Sequence, residues 1–317
     1  MPLSPYTKIP LSFEAQAKLL IDRGMQGDFD FIVSRLRSVN YYRLSAYWFN
    51  KFRRTEDGVR LDVFSPGTSF EDAWACYAFD RRLRLYVTDD LERIEVDFKT
   101  NFVNALTVKT GNGFAHLDAN NFPKFPISKS LPGGNVKNYE FANTLRLFEK
   151  NVENSCEEFV RAHRSKYCGS LPFWKACEVV PFGLVSVLFE GLDGYTKREV
   201  ARRYAMSAGI FETAVKHLCY VRNLCAHHSR LWNRVMAIRF SVPAEKNLPV
   251  FYVPRKVSND KIFGTLSLLR YLMRIIAPQS RWFENFEKFL SDFPTVSTRE
   301  MGFPDDWKDF PLWKTTN

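Results

Sequence analysis

The chain has 317 residues, of which 45% are hydrophobic and 25% charged, and these proportions exclude a disordered chain. No apolar run approaches the roughly 18 residues that a membrane helix needs, and the first residues lack the pattern of a secretory signal. Lysine and arginine number 45 against 35 acidic residues, a net charge of +10, which favours partners that carry phosphate.

Apolar periodicity predicts helices through most of the first third of the chain. The predicted helical runs cover residues 12–24, 30–39, 40–54 and 69–110. Ser12 is expected to cap the first run and Gly24 to end it. A turn is predicted at residues 55–58. A break or kink is predicted near residues 88–90 of the longest run, 69–110, because few globular helices reach this length.

Helical patterns continue after an irregular region at residues 114–137, where three prolines and two glycines predict a loop or small extension. The later predicted helices cover residues 139–167, 171–192, 196–206, 211–230, 262–276 and 282–290. Pro181 should kink the second of these, which is apolar nearly all round and therefore buried. Residues 239–257 hold three prolines and no helical period. We therefore expect an all-α fold with a single domain over residues 1–317, including a C-terminal helical extension at 239–317.

The six cysteines form no C-x-x-C pair, so we expect reduced thiols and a cytoplasmic location. Zinc bound by Cys219, Cys225, His227 and His228 is disfavoured, because their spacing is not a usual ligand pattern. We accordingly expect neither a metal nor a cofactor.

One predicted helix end combines arginine, asparagine and histidine side chains. These residues are Arg222, Asn223, His227, His228 and Arg230. Asn223 and His227 are four residues apart and share a helix face, whereas Arg222 lies about 140° around the helix from His227. Arginine offers a planar donor fork to a phosphate, and histidine exchanges protons near neutral pH. The set suits metal-free cleavage of a phosphodiester, and it equally suits a basic helix end that complements the helix dipole.

The motif R-N-x-x-x-H at residues 222–227 resembles the signature of the HEPN ribonuclease superfamily. Further segments resemble the Abi-like family of bacterial abortive-infection proteins, in family order between residues 8 and 313. These segments are NYYRLSAYW at 40–48, FDRRLRLYVTDDLERIE at 79–95, LPFWKACEVVPFGLVS at 171–186, CAHHSRLWN at 225–233 and MGFPDDW at 301–307.

The resemblance implies a HEPN-type helical bundle with additional helices and irregular proline-rich extensions, its motif region at about residues 170–235. It also implies RNA cleavage that leaves a 2′,3′-cyclic phosphate, an active site completed by a second copy in a homodimer, and a structured non-coding RNA as partner. Two other functions stay open: a non-catalytic RNA-binding scaffold, and the toxin of a toxin–antitoxin pair.

On this resemblance, His227 is the general base or acid, Arg222 stabilises the transition state and Asn223 orients the phosphate or the histidine. His228 is the alternative to His227. Glu92 or Glu95 would hold Arg222, unless both lie on a solvated helix face. Candidates for contact with the RNA backbone are Arg43, Arg81, Arg82, Arg84, Lys197, Arg198, Arg202, Arg203 and Arg230. Tyr41, Tyr42 and Trp48 either stack on bases or pack in the core.

Overall fold

The computed structural model describes residues 5, 7, 9–125 and 141–314. Over this part of the chain it contains twelve α-helices and one two-stranded sheet, which confirms the predicted all-α fold. The chain forms two compact units, and the single domain expected from the sequence stays a prediction. The first comprises Met1–Arg84 with Lys288–Thr298, and the second Leu85–Glu287 with Arg299–Asn317.

The first unit contains three helices, a hairpin and the start of a long helix. These elements are α1 (Phe13–Asp22), α2 (Phe29–Ser38), α3 (Tyr41–Ser45), β1 (Phe52–Arg54), β2 (Arg60–Phe64) and α4 (Phe70–Thr110). The Ser12 side chain accepts a hydrogen bond from the Ala15 amide and so caps α1, as predicted. Gly24, at φ +91°, ends the turn that follows α1.

The predicted helix at 40–54 is wrong. Asn40 caps only the five-residue α3, and the chain then enters β1, which pairs antiparallel with β2 across the predicted turn. Phe52 and Phe64 face each other in this pairing, and their rings stack at a centroid distance of 4.2 Å. Cross-strand aromatic pairs stabilise hairpins, so this contact favours strands over the helix that the aromatic pattern suggested.

α4 is an unbroken helix of 41 residues, without the predicted break at 88–90. Its buried stripe consists of apolar side chains at helical spacing, namely Leu83, Val87, Leu91, Ile94, Phe98, Phe102 and Leu106. Gly111, at φ +62°, ends the helix because glycine adopts this backbone conformation without steric cost.

The second unit holds the remaining helices. They are α5 (Phe141–Glu153), α6 (Glu158–Lys166), α7 (Phe173–Ala176), α8 (Phe182–Gly191), α9 (Gly194–Arg202), α10 (Ala208–Ala226), α11 (Ile262–Ile276) and α12 (Trp282–Ser291), the last of which extends into the first unit. The predicted helix 139–167 is two helices, α5 and α6. The helix predicted at 171–192 is interrupted before Pro181, whose ring is incompatible with a helix interior.

The irregular regions also differ in detail from expectation. Residues 115–117 and 119–121 form short 3₁₀ turns within the predicted loop 114–137. The rest of that loop from residue 126, and the predicted helix start at Tyr139, lie outside the described residues. Residues 239–257 are irregular as predicted, apart from a 3₁₀ turn at Pro249–Phe251.

An aromatic cluster in the second unit fixes α10 against its neighbours. The Phe98 ring of α4 lies 5.9 Å from Phe182 and 5.3 Å from Phe189, both on α8, and 5.9 Å from Phe211 on α10. Each fully buried phenylalanine stabilises the fold by roughly 1.5–3 kcal/mol. None of the helices in the described ranges combines the length and apolarity needed to cross a membrane.

Candidate functional site

The R-N-x-x-x-H motif lies at the C-terminal end of α10, which ends at Ala226, four residues before its predicted end. Asn223 begins the last turn, Arg222 lies immediately before it, and His227 is the C-cap residue, at φ −89°. The His227 amide donates to the Asn223 carbonyl oxygen at 3.0 Å. Asn223 and His227 therefore lie one turn apart on the same face, as their spacing predicted.

His228 leaves the helix. It adopts a left-handed conformation at φ +55°, and its amide donates to the Cys225 carbonyl oxygen at 3.0 Å. The Ser229 amide donates to the Leu224 carbonyl oxygen at 2.8 Å, which completes a Schellman cap. Glycine usually takes this position. The turn favours His227 over His228 as the partner of Asn223, because only His227 stays on the helix face.

The motif side chains face solvent. Asn223 and His227 are exposed, and Arg222 is half-buried. Among the residues described, no side chain forms a hydrogen bond or ion pair with any of these three. Polar groups that are accessible and have no protein partner are available to a ligand, and a guanidinium with an amide and an imidazole suits a phosphate.

The predicted support of Arg222 by a glutamate is not formed. Glu95 instead pairs with Lys99 at 2.7 Å, and Lys99 also donates to the Val180 carbonyl oxygen at 2.9 Å. Glu92 is exposed and has no ion pair within the described ranges. The sequence shows that Glu95 and Lys99 are four residues apart and could pair on a helix, but it does not show that this pair is shielded from solvent.

Cys219 lies one turn before Arg222, and the pKa of its thiol reflects the charged groups near the motif. Burial raises the pKa of its thiol to about 12, and the carboxylates of Glu95 and Glu190 raise it further. The Ser186 hydroxyl and the Arg222 guanidinium oppose this effect. Arg222 and Glu95 therefore both act on a buried thiol whose pKa favours the protonated form. No group of three or more potential metal ligands occurs among the described residues.

The segment after α10 is attached to the helix by His217. Its Nδ1–H donates to the Ile238 carbonyl oxygen at 2.7 Å, and Nε2 lies 2.9 Å from the Thr265 hydroxyl. The Met236 amide donates to the Asp260 carbonyl oxygen at 2.7 Å. These bonds hold residues 236–238 against α10. No sequence pattern distinguishes such a histidine from other buried ones.

Of the arginines in the first unit that are candidates for RNA contact, one is buried and three are on the surface. Arg84 is buried and pairs with Asp80, so its prediction as a surface contact is wrong. Arg82 pairs with Asp292 at 3.1 Å on the surface, and Arg43 and Arg81 are exposed. Among the aromatic candidates, Tyr42 is 70% exposed, whereas Trp48 is buried in the core and Tyr41 packs against it.

The candidates of the second unit are mostly paired with acids. Lys197 is buried and donates to the Glu190 carbonyl oxygen at 2.7 Å, so it too is wrong as a surface contact. Arg203 bonds both carboxylate oxygens of Asp97, and Arg202 pairs with Glu199 at 2.8 Å. Arg198 is exposed and has no carboxylate partner in the described part of the chain. Arg230 is half-buried, and its carbonyl oxygen accepts a hydrogen bond from Arg234.

Comparison with known proteins identifies one family. The model of that family, described as Abi-like protein, matches residues 34–233. This match covers more than half of the chain and ends just after the motif, so it includes the whole of α4 and α10. No curated protein and no solved structure matches the chain. The chain belongs to the Abi-like protein family.

Proposed function

We propose that this protein acts in abortive-infection phage defence by cleaving RNA without a metal ion. Membership of the Abi-like family points to abortive infection. The observation that carries the nuclease proposal is the exposed end of α10, where Arg222, Asn223 and His227 have no partner among the described residues. This set supplies a phosphate-binding fork beside a proton-transfer group, as HEPN-type cleavage requires.

The proposed reaction is an internal displacement at phosphorus. His227 takes the proton of the ribose 2′-hydroxyl, and the 2′-oxygen forms a bond to the adjacent phosphorus. The bond from phosphorus to the 5′-oxygen breaks, and a general acid protonates the leaving oxygen. The products are a 2′,3′-cyclic phosphate and a 5′-hydroxyl. Arg222 stabilises the charge that develops on the phosphoryl oxygens, and Asn223 donates to one of them.

The second proton transfer requires another acid. His228 is poorly placed for it, because the chain turns away from the helix face at that residue. We therefore propose that His227 of a second copy supplies the acid and that the active form is a homodimer. The surplus of ten positive charges and the exposed Arg43, Arg81 and Arg198 support an RNA partner, in which we include a structured non-coding RNA.

The test is cleavage of RNA by the purified full-length protein in EDTA, together with any nucleic acid that copurifies. We expect cyclic-phosphate ends, a rate lowered roughly 10²–10⁴-fold by His227→Ala and roughly 10²–10³-fold by Arg222→Ala. Arg161→Ala, at an exposed arginine on α6, is the matched control and should cleave like the wild type. A defined RNA bound without any cleavage would instead favour the non-catalytic scaffold.

A further inference from the structure

A basic cavity lies at the opposite end of α10 from the motif. Its volume is about 710 Å³, and it is open to solvent. The lining comes from α9, from the start of α10 and from the segment before α5. Its polar side chains are Lys124, Arg198, Glu199, Arg202 and Ser207. Arg198 and Arg202 are two of the predicted RNA contacts, and Lys124 joins them here only because the fold brings it to α9.

The charges of this cavity do not balance. Arg202 pairs with Glu199 at 2.8 Å, which leaves Lys124 and Arg198 without a carboxylate partner in the described ranges. Two exposed cations in one concave surface attract an anion and hold it more strongly than isolated surface charges do. The cavity therefore has a net charge of +2 from its side chains.

A second ammonium group, that of Lys197, lies near Lys124. The Lys124 backbone amide donates to the Gly191 carbonyl oxygen at 3.0 Å, which fixes this residue beside α8. Burial lowers the pKa of the neighbouring Lys197, and the positive charge of Lys124 lowers it further, although Glu212 opposes both effects. Two ammonium groups thus lie close together, and an anion bound to Lys124 would relieve their repulsion.

The backbone contributes to the same cavity. Ser207 caps α10, and Ala208 and Gly209 begin its first turn. A side chain at Gly209 would meet no atom within 4 Å, so the space in front of these residues is open. Amides in the first turn of a helix lack partners within the helix and favour negative charge. They add to an anion site that the cationic side chains already define.

We propose that this cavity binds a backbone phosphate of the RNA whose cleavage occurs at the other end of α10, an inference that rests on the proposed function. α10 has 19 residues and is therefore about 28 Å long. An RNA that fills the cavity and reaches Arg222 and His227 must span several nucleotides. The cavity thus acts as an anchor that selects extended RNA over dinucleotides.

Binding tests the anchor directly. A fluorescent single-stranded 2′-O-methyl RNA, which has no nucleophilic hydroxyl, would be titrated with the full-length protein at a series of salt concentrations. Removing one phosphate contact lowers the slope of log affinity against log salt by roughly 0.7 for a single strand. Arg198→Gln and Lys124→Gln are each expected to lower it by this amount. Arg161→Gln, an equal change of charge on α6, is the control and should leave the slope as in wild type.

Cleavage gives a second readout. Arg198→Gln should raise the KM for long RNA several-fold and leave cleavage of a dinucleotide unchanged, because a dinucleotide cannot reach the cavity. If Arg198→Gln and Arg161→Gln have the same salt slope and the same KM for long RNA while wild type cleaves RNA, the anchor is refuted and the proposed function stands. If Arg198→Gln weakens binding of inorganic phosphate but not of RNA, the cavity takes a free anion and the RNA anchor is wrong. If wild type neither binds nor cleaves RNA, both proposals fail.

Discussion

Protonation of His217 is expected to destabilise the second unit, because this ring joins α10 to Ile238 and to Thr265 on α11. The Ile238 carbonyl can only accept, so Nδ1 carries the hydrogen and Nε2 accepts from the Thr265 hydroxyl. Burial lowers the pKa of His217 from 6.5 to about 4. The folded state therefore holds the neutral ring at pH values where the unfolded chain is already protonated.

The sign and size of the effect follow from these two pKa values. Between pH 6.5 and pH 4 the unfolded state binds the additional proton, so the free energy of unfolding falls as the pH falls through this window. Above pH 6.5 both states are neutral, and the contribution of His217 is constant. For pKa values of about 4 and 6.5 the expected loss between pH 7.5 and pH 5 is about 2 kcal/mol.

Other buried groups titrate in the same range, so a matched variant is needed. Burial also lowers the pKa of His116 to about 4, whereas burial raises the pKa of Asp90 to about 7, which has the opposite effect on stability. His217→Asn keeps an amide donor for Ile238 and removes the titration. Urea unfolding at pH 7.5 and pH 5 should show that wild type loses about 2 kcal/mol more than this variant. Equal losses would refute the assignment of a neutral His217.

Two further predictions concern buried charge and the helix end. Asp80→Ala leaves Arg84 buried without its carboxylate and should lower the free energy of unfolding by about 3–5 kcal/mol. Asp292→Ala, at an exposed ion pair, is the control and should lower it by less than about 1 kcal/mol. Equal effects of the two variants in urea unfolding would contradict the role of burial. His228→Gly suits the left-handed backbone at this position and should cleave RNA faster than His227→Ala. The reverse order would make His228 the base.

Local signals in the sequence predicted most helices correctly. The cap at Ser12, the end of α4 at Gly111 and the bounds of α11 rest on residues close together in the chain, where capping and periodicity act. The hairpin was missed because it depends on the pairing of Phe52 with Phe64, twelve residues apart. An aromatic, amphipathic segment satisfies a helix or a strand period until that partner is known.

The candidate site was predictable in part. The four-residue spacing of Asn223 and His227 correctly predicted that they share a helix face. No local sequence pattern predicted that His228 would adopt the backbone conformation usually taken by glycine. Charge counts also do not reveal burial. Arg84 and Lys197 resemble surface residues in the sequence. In the structure both are buried, Arg84 paired with Asp80 one turn away on α4 and Lys197 paired with Glu212 on α10.

The most direct test of the catalytic proposal uses the nucleophile itself. Two RNAs of identical sequence, one with a single 2′-deoxy nucleotide before the scissile phosphate, would be incubated with the wild-type protein in EDTA and their product ends mapped. We expect the all-ribose RNA to yield a 2′,3′-cyclic phosphate and a 5′-hydroxyl, and the substituted RNA to stay intact at that bond. Cleavage of both RNAs, or loss of all cleavage in EDTA together with its return on adding a divalent metal, would contradict metal-free attack by the 2′-hydroxyl at Arg222 and His227.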